Sequence, residues 1–246
     1  MPTFADLGIP FPFFEAPTDE ASDYAALATC RLCGGKDRHC FEVGIGDALI
    51  RPCPACGLEN GLDADDRADA PCRSCGSVVP FPEPLKAKKQ LLVCYDCLRA
   101  GQAAMTKSTE FGLVSWAHAA EGVTGGVPGL QTDQFEMVPI DPDEDWYGVR
   151  VPAEHLRELL RTPGFHSWQD ERWLFCCRRP MTYLGGWCNV RESLRPSDPK
   201  TFFDGLIDPD DGPVDRVWEG VESGSVSLYI YHCMSCGRHR ATWDAD

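Results

Sequence analysis

Basic residues are scarce in this chain. Lysine and arginine number 23 against 38 aspartates and glutamates, a formal net charge of −15 over 246 residues. A nucleic-acid reader carries a basic face, and duplex phosphates repel a surface of the opposite balance. A nucleic-acid-binding zinc ribbon is therefore disfavoured. Two short basic runs, Lys86/Lys88/Lys89 and Arg178/Arg179, read as solvated surface. Long apolar runs are missing too: none approaches the ~18 residues a membrane-crossing helix needs. The opening, Met1-Pro-Thr-Phe-Ala-Asp, lacks the basic and long apolar regions of an export signal. A soluble, cytoplasmic chain without membrane contact is the expectation. His-Glu-x-x-His, a nucleophile elbow and a phosphate loop are all absent, so the sequence carries none of these enzyme signatures.

Cysteine, by contrast, is abundant. Ten of the 14 cysteines fall in Cys-x-x-Cys pairs: Cys30/Cys33, Cys53/Cys56, Cys72/Cys75, Cys94/Cys97 and Cys233/Cys236. In a reducing cytosol such pairs point to metal rather than disulfides. Two intervening residues let both sulfurs turn toward one point, and a tetrahedral Zn²⁺ takes two such knuckles. Glycine after Cys33, Cys56, Cys75 and Cys236 permits the tight turn that aims backbone N–H groups at sulfur.

The run Cys53-x₂-Cys56-x₁₅-Cys72-x₂-Cys75 has zinc-ribbon spacing. Its connecting segment, Leu58 to Ala70, is too polar for a core of its own, so metal is expected to hold it. The proline-rich run Val79 to Pro84 reads as a linker back to the body. If this ribbon is self-contained, Cys30/Cys33 must pair with Cys94/Cys97, giving two nested sites; interleaved pairing is the competing arrangement. Cys94 follows the apolar run Gln90 to Val93, and Cys97 opens a helix, a treble-clef-like order. The helix N-terminus favours thiolate there. Cys40 lies on an expected strand, Cys40 to Val43, as a buried thiol.

Elsewhere, prolines 10 and 12 make Leu7 to Phe14 an extended aromatic arm that should dock on a core. A helix is expected over Glu110–Ala120, with His118 as an ordinary histidine. Residues 133–147 form an acidic, solvated face without calcium-loop spacing. A strand is expected at Trp146–Val151 and a helix at Ala153–Arg161, begun by Pro152. The aromatics of Phe165 to Cys177 and Met181 to Cys188 suggest core strands. A second acidic stretch, 198–222, holds Asp198, Asp204, Asp208, Asp210, Asp211, Asp215, Glu219 and Glu222. Ser225–Tyr231 alternates as a strand, and Arg238–Trp243 returns beyond the Cys233/Cys236 knuckle. That knuckle lacks a partner pair. Cys177 is the first choice for its third ligand, with Cys176, Cys188, His232 or His239 as the fourth. Adjacent Cys176 and Cys177 rarely share one ion. Three thiolates with an open position would be catalytic; four ligands would be structural.

Several of these blocks resemble the CbrC-like proteins, a bacterial family linked to colicin tolerance. They are Ile9-Pro-Phe-Pro-Phe-Phe14, Cys30-x-x-Cys33, Cys94-Tyr-Asp-Cys97-Leu-Arg-Ala-Gly-Gln-Ala-Ala104, Arg161-Thr-Pro-Gly-Phe165-x-x-Trp168-Gln169 and Tyr229-Ile-Tyr-His-Cys233-Met-Ser-Cys236-Gly. In one block the chain departs: Cys176 stands where the family shows histidine, and Met181 where it shows a second cysteine. The resemblance thus leaves the fourth ligand of the last site open. The Cys53–Cys75 ribbon reads as an insertion that typical members lack, which supports the nested pairing.

The resulting expectation is an α+β protein, with small treble-clef and zinc-ribbon elements on a mixed body. Residues 1–130 would form an N-terminal zinc-binding region with the ribbon inserted at about 51–84, and residues 131–246 an α+β region closed by a zinc-knuckle hairpin. Two or three Zn²⁺ ions per chain are expected. The resemblance implies a non-enzymatic interaction protein conferring tolerance or immunity to a bacterial toxin. An acidic surface suits a basic protein partner. The alternative is a zinc- or thiol-dependent enzyme acting at Cys177, Cys233 and Cys236.

Overall fold

Prolines 10 and 12 keep the N-terminal arm out of helix, and its aromatics find a core. In the computed structural model Phe4, Phe11, Phe13 and Phe14 are all buried. The arm lies along the strand Thr182–Gly186: Tyr183 N donates to Phe13 O at 2.8 Å, and Glu15 N to Tyr183 O at 2.8 Å. The first residues of the chain are thereby fixed to its C-terminal sheet. The structure describes residues 1–87, 89–169, 171–208 and 214–245. Lys88, Asp210 and Asp211, named above, lie outside the described residues.

In the N-terminal half, Arg38–Val43 pairs antiparallel with both Tyr24–Ala28 and Leu91–Cys94, setting Cys40 opposite Cys94. A second sheet places Ala48–Pro52 between Glu59–Asp63 and Ala103–Ala104. The segment from Leu58 to Ala70 is therefore not held by metal alone. Asn60, Leu62 and Ala64 alternate inward from its strand, and Leu62 is fully buried. The proline-rich run also packs, through buried Val79, Phe81 and Leu85.

The helix expected over Glu110–Ala120 is shorter and later. Lys107–Thr109 and Gly112–Val114 form a hairpin instead, and the helix runs Trp116–Glu121. Gly112 explains the switch. It has φ 97°, and a Cβ there would lie 2.2 Å from Gly126 O, so packing against a neighbouring backbone overrides local helix propensity. His118 closes the helix start, accepting from Ser115 N at 3.3 Å. Met137–Asp141 and Val127–Pro128 flank Trp146–Val149, and the acids from Asp133 to Asp145 are exposed, as a solvated face requires.

Farther on, Ala153–Leu159 is helical from Pro152. Of the aromatics of 165–177, Phe165, Trp173 and Phe175 are core residues while Trp168 is exposed; Phe165 and Trp173 make single bridges to Ala21 and Thr109, and Phe175–Cys176 is a two-residue strand paired with Arg179–Pro180. The longest hairpin, Val226–His232 with His239–Ala245, adds Thr182–Gly186 at its edge. Among its described residues the acidic stretch forms the helices Pro199–Asp204 and Val214–Ser223, the first capped by the Asp198 side chain. They bury Phe203 and Val217 with Trp187, Leu228 and Ile230 in a second, smaller core. The architecture is strand-rich α+β. No helix among the described residues is long and apolar enough to cross a membrane.

Candidate metal centres

Four of the five Cys-x-x-Cys pairs adopt one local geometry. The glycine after the second cysteine takes positive φ: 71° at Gly34, 75° at Gly57, 72° at Gly76 and 76° at Gly237. Its N–H donates to the carbonyl of the first cysteine at 2.8–3.0 Å. The first cysteine's N–H donates onward to Gly35, Leu58, Ser77 or Arg238. Nothing lies within 4 Å of a Cβ built on Gly34, Gly57, Gly76 or Gly237. Glycine is therefore required by backbone conformation and not by space. The fifth pair differs: Cys94 ends a strand and Cys97 sits in the helix Tyr95–Arg99.

These knuckles converge on three groups of four sulfurs among the described residues, each within 4.8 Å of one another: Cys30/Cys33/Cys94/Cys97, Cys53/Cys56/Cys72/Cys75 and Cys176/Cys177/Cys233/Cys236. The first two groups are nested in the chain, the arrangement expected for a self-contained ribbon, and not interleaved. Sulfurs about 2.3 Å from a central ion stand ~3.8 Å apart on a tetrahedron. The closest pairs match: 3.8 Å for Cys30–Cys97 and Cys33–Cys94, 3.7 Å for Cys53–Cys75 and Cys56–Cys72, 3.8 Å for Cys176–Cys177 and 3.6 Å for Cys176–Cys236. A disulfide would need about 2.0 Å. Each set could thus hold one metal ion.

The third group takes Cys176 as its fourth sulfur. Cys188 is exposed on the helix Trp187–Leu194, and His232 and His239 stack on each other at 4.9 Å; all three stand outside the cluster. The objection to adjacent cysteines fails for a conformational reason. Cys177 and Arg178 have φ 52° and 60°, and they form the two-residue link between Phe175–Cys176 and Arg179–Pro180. Two positive φ values in such a link mark a type I′ turn. An extended pair would point its sulfurs to opposite faces; the left-handed Cys177 brings its sulfur back beside that of Cys176.

Backbone donors favour the thiolate form, which is the ligand form. The Gly35 N–H, helped by the neighbouring Cys30, pushes Cys33 down to about 7. The N–H groups of Cys75 and Ser74 push Cys72 down to about 6, and that of Arg238 pushes Cys236 down to about 7. Burial pushes the opposite way at Cys94, Cys97 and Cys176 within the sets, and at Cys40 burial, then the neighbouring sulfurs of Cys30 and Cys94, pushes the thiol up to about 12. It remains a buried thiol outside the clusters. One supporting residue carried no spacing signal. Asn60 Nδ2 donates to Cys72 Sγ at 3.5 Å, while its Oδ1 accepts from Arg73 N at 3.1 Å.

A second polar centre also escapes sequence reasoning. Lys107, only 2 % exposed, pairs with Glu171 at 3.3 Å and Asp23 at 3.8 Å. Gly164 fits between these acids and donates its N–H to Asp23 at 2.7 Å. A Cβ on Gly164 would come within 2.8 Å of Glu171.

The model of the Uncharacterised protein family (UPF0167) matches residues 57–245. A UPF0167 protein of Mycobacterium bovis is 28 % identical over 185 residues, covering 70 % of this chain and 81 % of its own length. A UPF0167 protein of Mycobacterium tuberculosis aligns with the same identity and coverage. One of Pseudomonas aeruginosa is 28 % identical over 107 residues, 39 % of this chain and 54 % of its own. No solved structure matches the chain.

Proposed function

The chain belongs to the uncharacterised protein family UPF0167, and on that premise we propose that it is a zinc-stabilised, non-enzymatic interaction protein. The observation that carries the metal reading is the closure of three four-sulfur sets at tetrahedral edge lengths. Four soft sulfurs in that geometry suit Zn²⁺. Cys30, Cys33, Cys94 and Cys97 would hold one ion. Cys53, Cys56, Cys72 and Cys75 would hold the second, and Cys176, Cys177, Cys233 and Cys236 the third. A complete set of four leaves no position for water, so these are structural ions that clamp short strands. The zinc-enzyme reading needed an open position beside Cys177, Cys233 and Cys236, and Cys176 stands there.

The interaction reading extends the resemblance to CbrC-like proteins. Its partner is a basic bacterial protein toxin, against which the chain confers tolerance. A net charge of −15 supports it, as do the exposed acids of 133–145 and of the helix Val214–Ser223. Such a field accelerates encounter with a cationic protein and selects against anionic ones.

Native mass spectrometry with and without chelator tests the metal reading, with three zinc ions per chain expected. Two ions, with Cys176, Cys177, Cys233 and Cys236 open to alkylation, would return the reactive-thiol reading. The partner is tested by titrating basic toxins from the same genome against the wild type and a variant with Asp215, Glu219 and Glu222 neutralised. Absence of binding, or an unchanged association rate in the variant, rejects the toxin reading and leaves the metal reading intact.

A further inference from the structure

The three clusters differ in how far the protein covers their sulfurs. In the first, Cys30, Cys94 and Cys97 are buried; in the second, Cys53 and Cys72; in the third, Cys233 alone. The close sulfur pairs differ in the same way. Cys30–Cys97, Cys33–Cys94, Cys53–Cys75 and Cys56–Cys72 each contain a buried sulfur. Cys176–Cys236, at 3.6 Å, contains none. Cys176 also lines a cavity of about 180 Å³ beside Phe175 and Arg238. Arg178 follows Cys177 on the turn and Arg238 lies two residues past Cys236 in the chain, and both are exposed. Oxidation selects sulfurs that are accessible and have a second sulfur within reach.

We propose that the third cluster is an oxidative-modification site, at which hydrogen peroxide joins Cys236 to Cys176 as a disulfide and expels the metal. This rests on the zinc reading above. The sulfur of Cys236 attacks a peroxide oxygen. The O–O bond breaks, hydroxide leaves, and Cys236 becomes a sulfenic acid. The sulfur of Cys176 then attacks that of Cys236, forming the S–S bond and releasing the second hydroxide. The two sulfurs give up two electrons, the peroxide accepts them, and both hydroxides take protons from solvent. Cys177 and Cys233 remain, too few to hold zinc. A bond between Cys176 and Cys177 is disfavoured: adjacent Cα atoms are about 3.8 Å apart, below the ~4.4 Å at which disulfides begin.

Zinc-loaded full-length protein is titrated with hydrogen peroxide while a chromophoric chelator follows released zinc. Alkylation and peptide mass mapping then locate the oxidised sulfurs, with the exposed lone Cys188 as an internal reference. The first zinc should leave at least about tenfold faster than the others, with a Cys176–Cys236 disulfide and with recovery on adding dithiothreitol and zinc. Equal loss from all three clusters overturns the proposal. So does a vicinal Cys176–Cys177 bond, or sulfinic acid at Cys236 without a disulfide. In Cys176→Ser the disulfide should vanish and Cys236 should pass on to sulfinic acid; if that variant does not fold, the wild-type map decides. A protein that takes up no zinc ends the metal reading and this proposal together. One that holds three ions and keeps the third under peroxide overturns this proposal alone.

Discussion

At the residue scale, two glycines separate conformation from space. Gly57 has φ 75° with nothing within 4 Å of a Cβ built on it, whereas one built on Gly112 would meet Gly126 O at 2.2 Å. Gly57→Ala should therefore cost only the left-handed penalty, about 1–2 kcal/mol. Gly112→Ala should cost about 3 kcal/mol or more, because backbone must move as well. Urea midpoints of the zinc-loaded variants check the ordering, and equal losses would contradict it. The glycines of the knuckles were legible because their spacing from cysteine repeats. Gly112 was not, since its constraint comes from the loop backbone at Gly126, which only the folded chain brings against it. Asp47 was equally hidden. Burial, opposed by the N–H groups of Gly44 and Thr106 and by Lys107, pushes it up to about 6. Its folded value exceeds the unfolded one of about 3.9, so the folded chain holds that proton more tightly. The stabilisation is complete below pH ~4 and is lost as pH rises to about 6. Asp47→Asn removes the buried charge but keeps a single oxygen, so either the Gly44 N–H, held by Oδ2, or the Thr106 N–H, held by Oδ1, must face the amide NH2. The variant should lose about 1–3 kcal/mol near pH 4.5, where both side chains are neutral, and compare with the wild type about 1–2 kcal/mol more favourably at pH 7.5. An equal difference at both pH values would show that charge plays no part.

At the element scale, short strands are joined by sulfur. The ribbon's own ladder, Ala70–Pro71 with Val78–Val79, is only two residues long on each side. Such a hairpin does not stand alone in water. The strand Ala48–Pro52, however, also pairs with Ala103–Ala104, so the ribbon's inner edge is anchored to the body. Cys56→Ser with Cys75→Ser should remove one zinc and abolish amide protection over 70–79. It should weaken protection over 48–63 only in part and leave the hairpin Val226–His232 with His239–Ala245 protected. Hydrogen exchange read by mass spectrometry distinguishes these segments. Uniform loss of protection would mean that the ribbon is part of one cooperative unit. The nested grouping of the first two clusters was one of two arrangements the spacing allowed: a self-contained ribbon leaves its flanking pairs only each other, but interleaved pairs fit the same spacing. The fourth sulfur of the last cluster was not. It depends on two positive φ values at Cys177 and Arg178, neither a glycine, and residue type there argued for the opposite geometry.

At the scale of the whole molecule, the N-terminal arm binds the two ends of the chain into one core. Phe4 packs against Phe11, Phe14, Tyr24 and Phe41 at 5.0–5.6 Å, and Phe14 reaches Tyr183 at 5.3 Å. Phe165 in turn stacks on Tyr183 at 4.4 Å and meets Tyr229 and Tyr231 of the long hairpin. The contacts run without a break from the first cluster's sheet to the strand that leads into the third cluster's knuckle. The sequence announced that the arm would dock, through four phenylalanines and two helix-breaking prolines. It did not announce where, because no local pattern encodes an edge belonging to a strand about 170 residues away. The location makes a prediction that a merely local arm would not. Phe4→Ala should cost about 3–5 kcal/mol as a core cavity. The loss should appear in both halves at once, with reduced protection at Arg38–Val43 and at Val226–His232 and all three zinc ions retained under native conditions. Confinement of the loss to the N-terminal sheet would mean that the arm's bonds to Tyr183 add little, and that the metal clusters and the long hairpin stand without it.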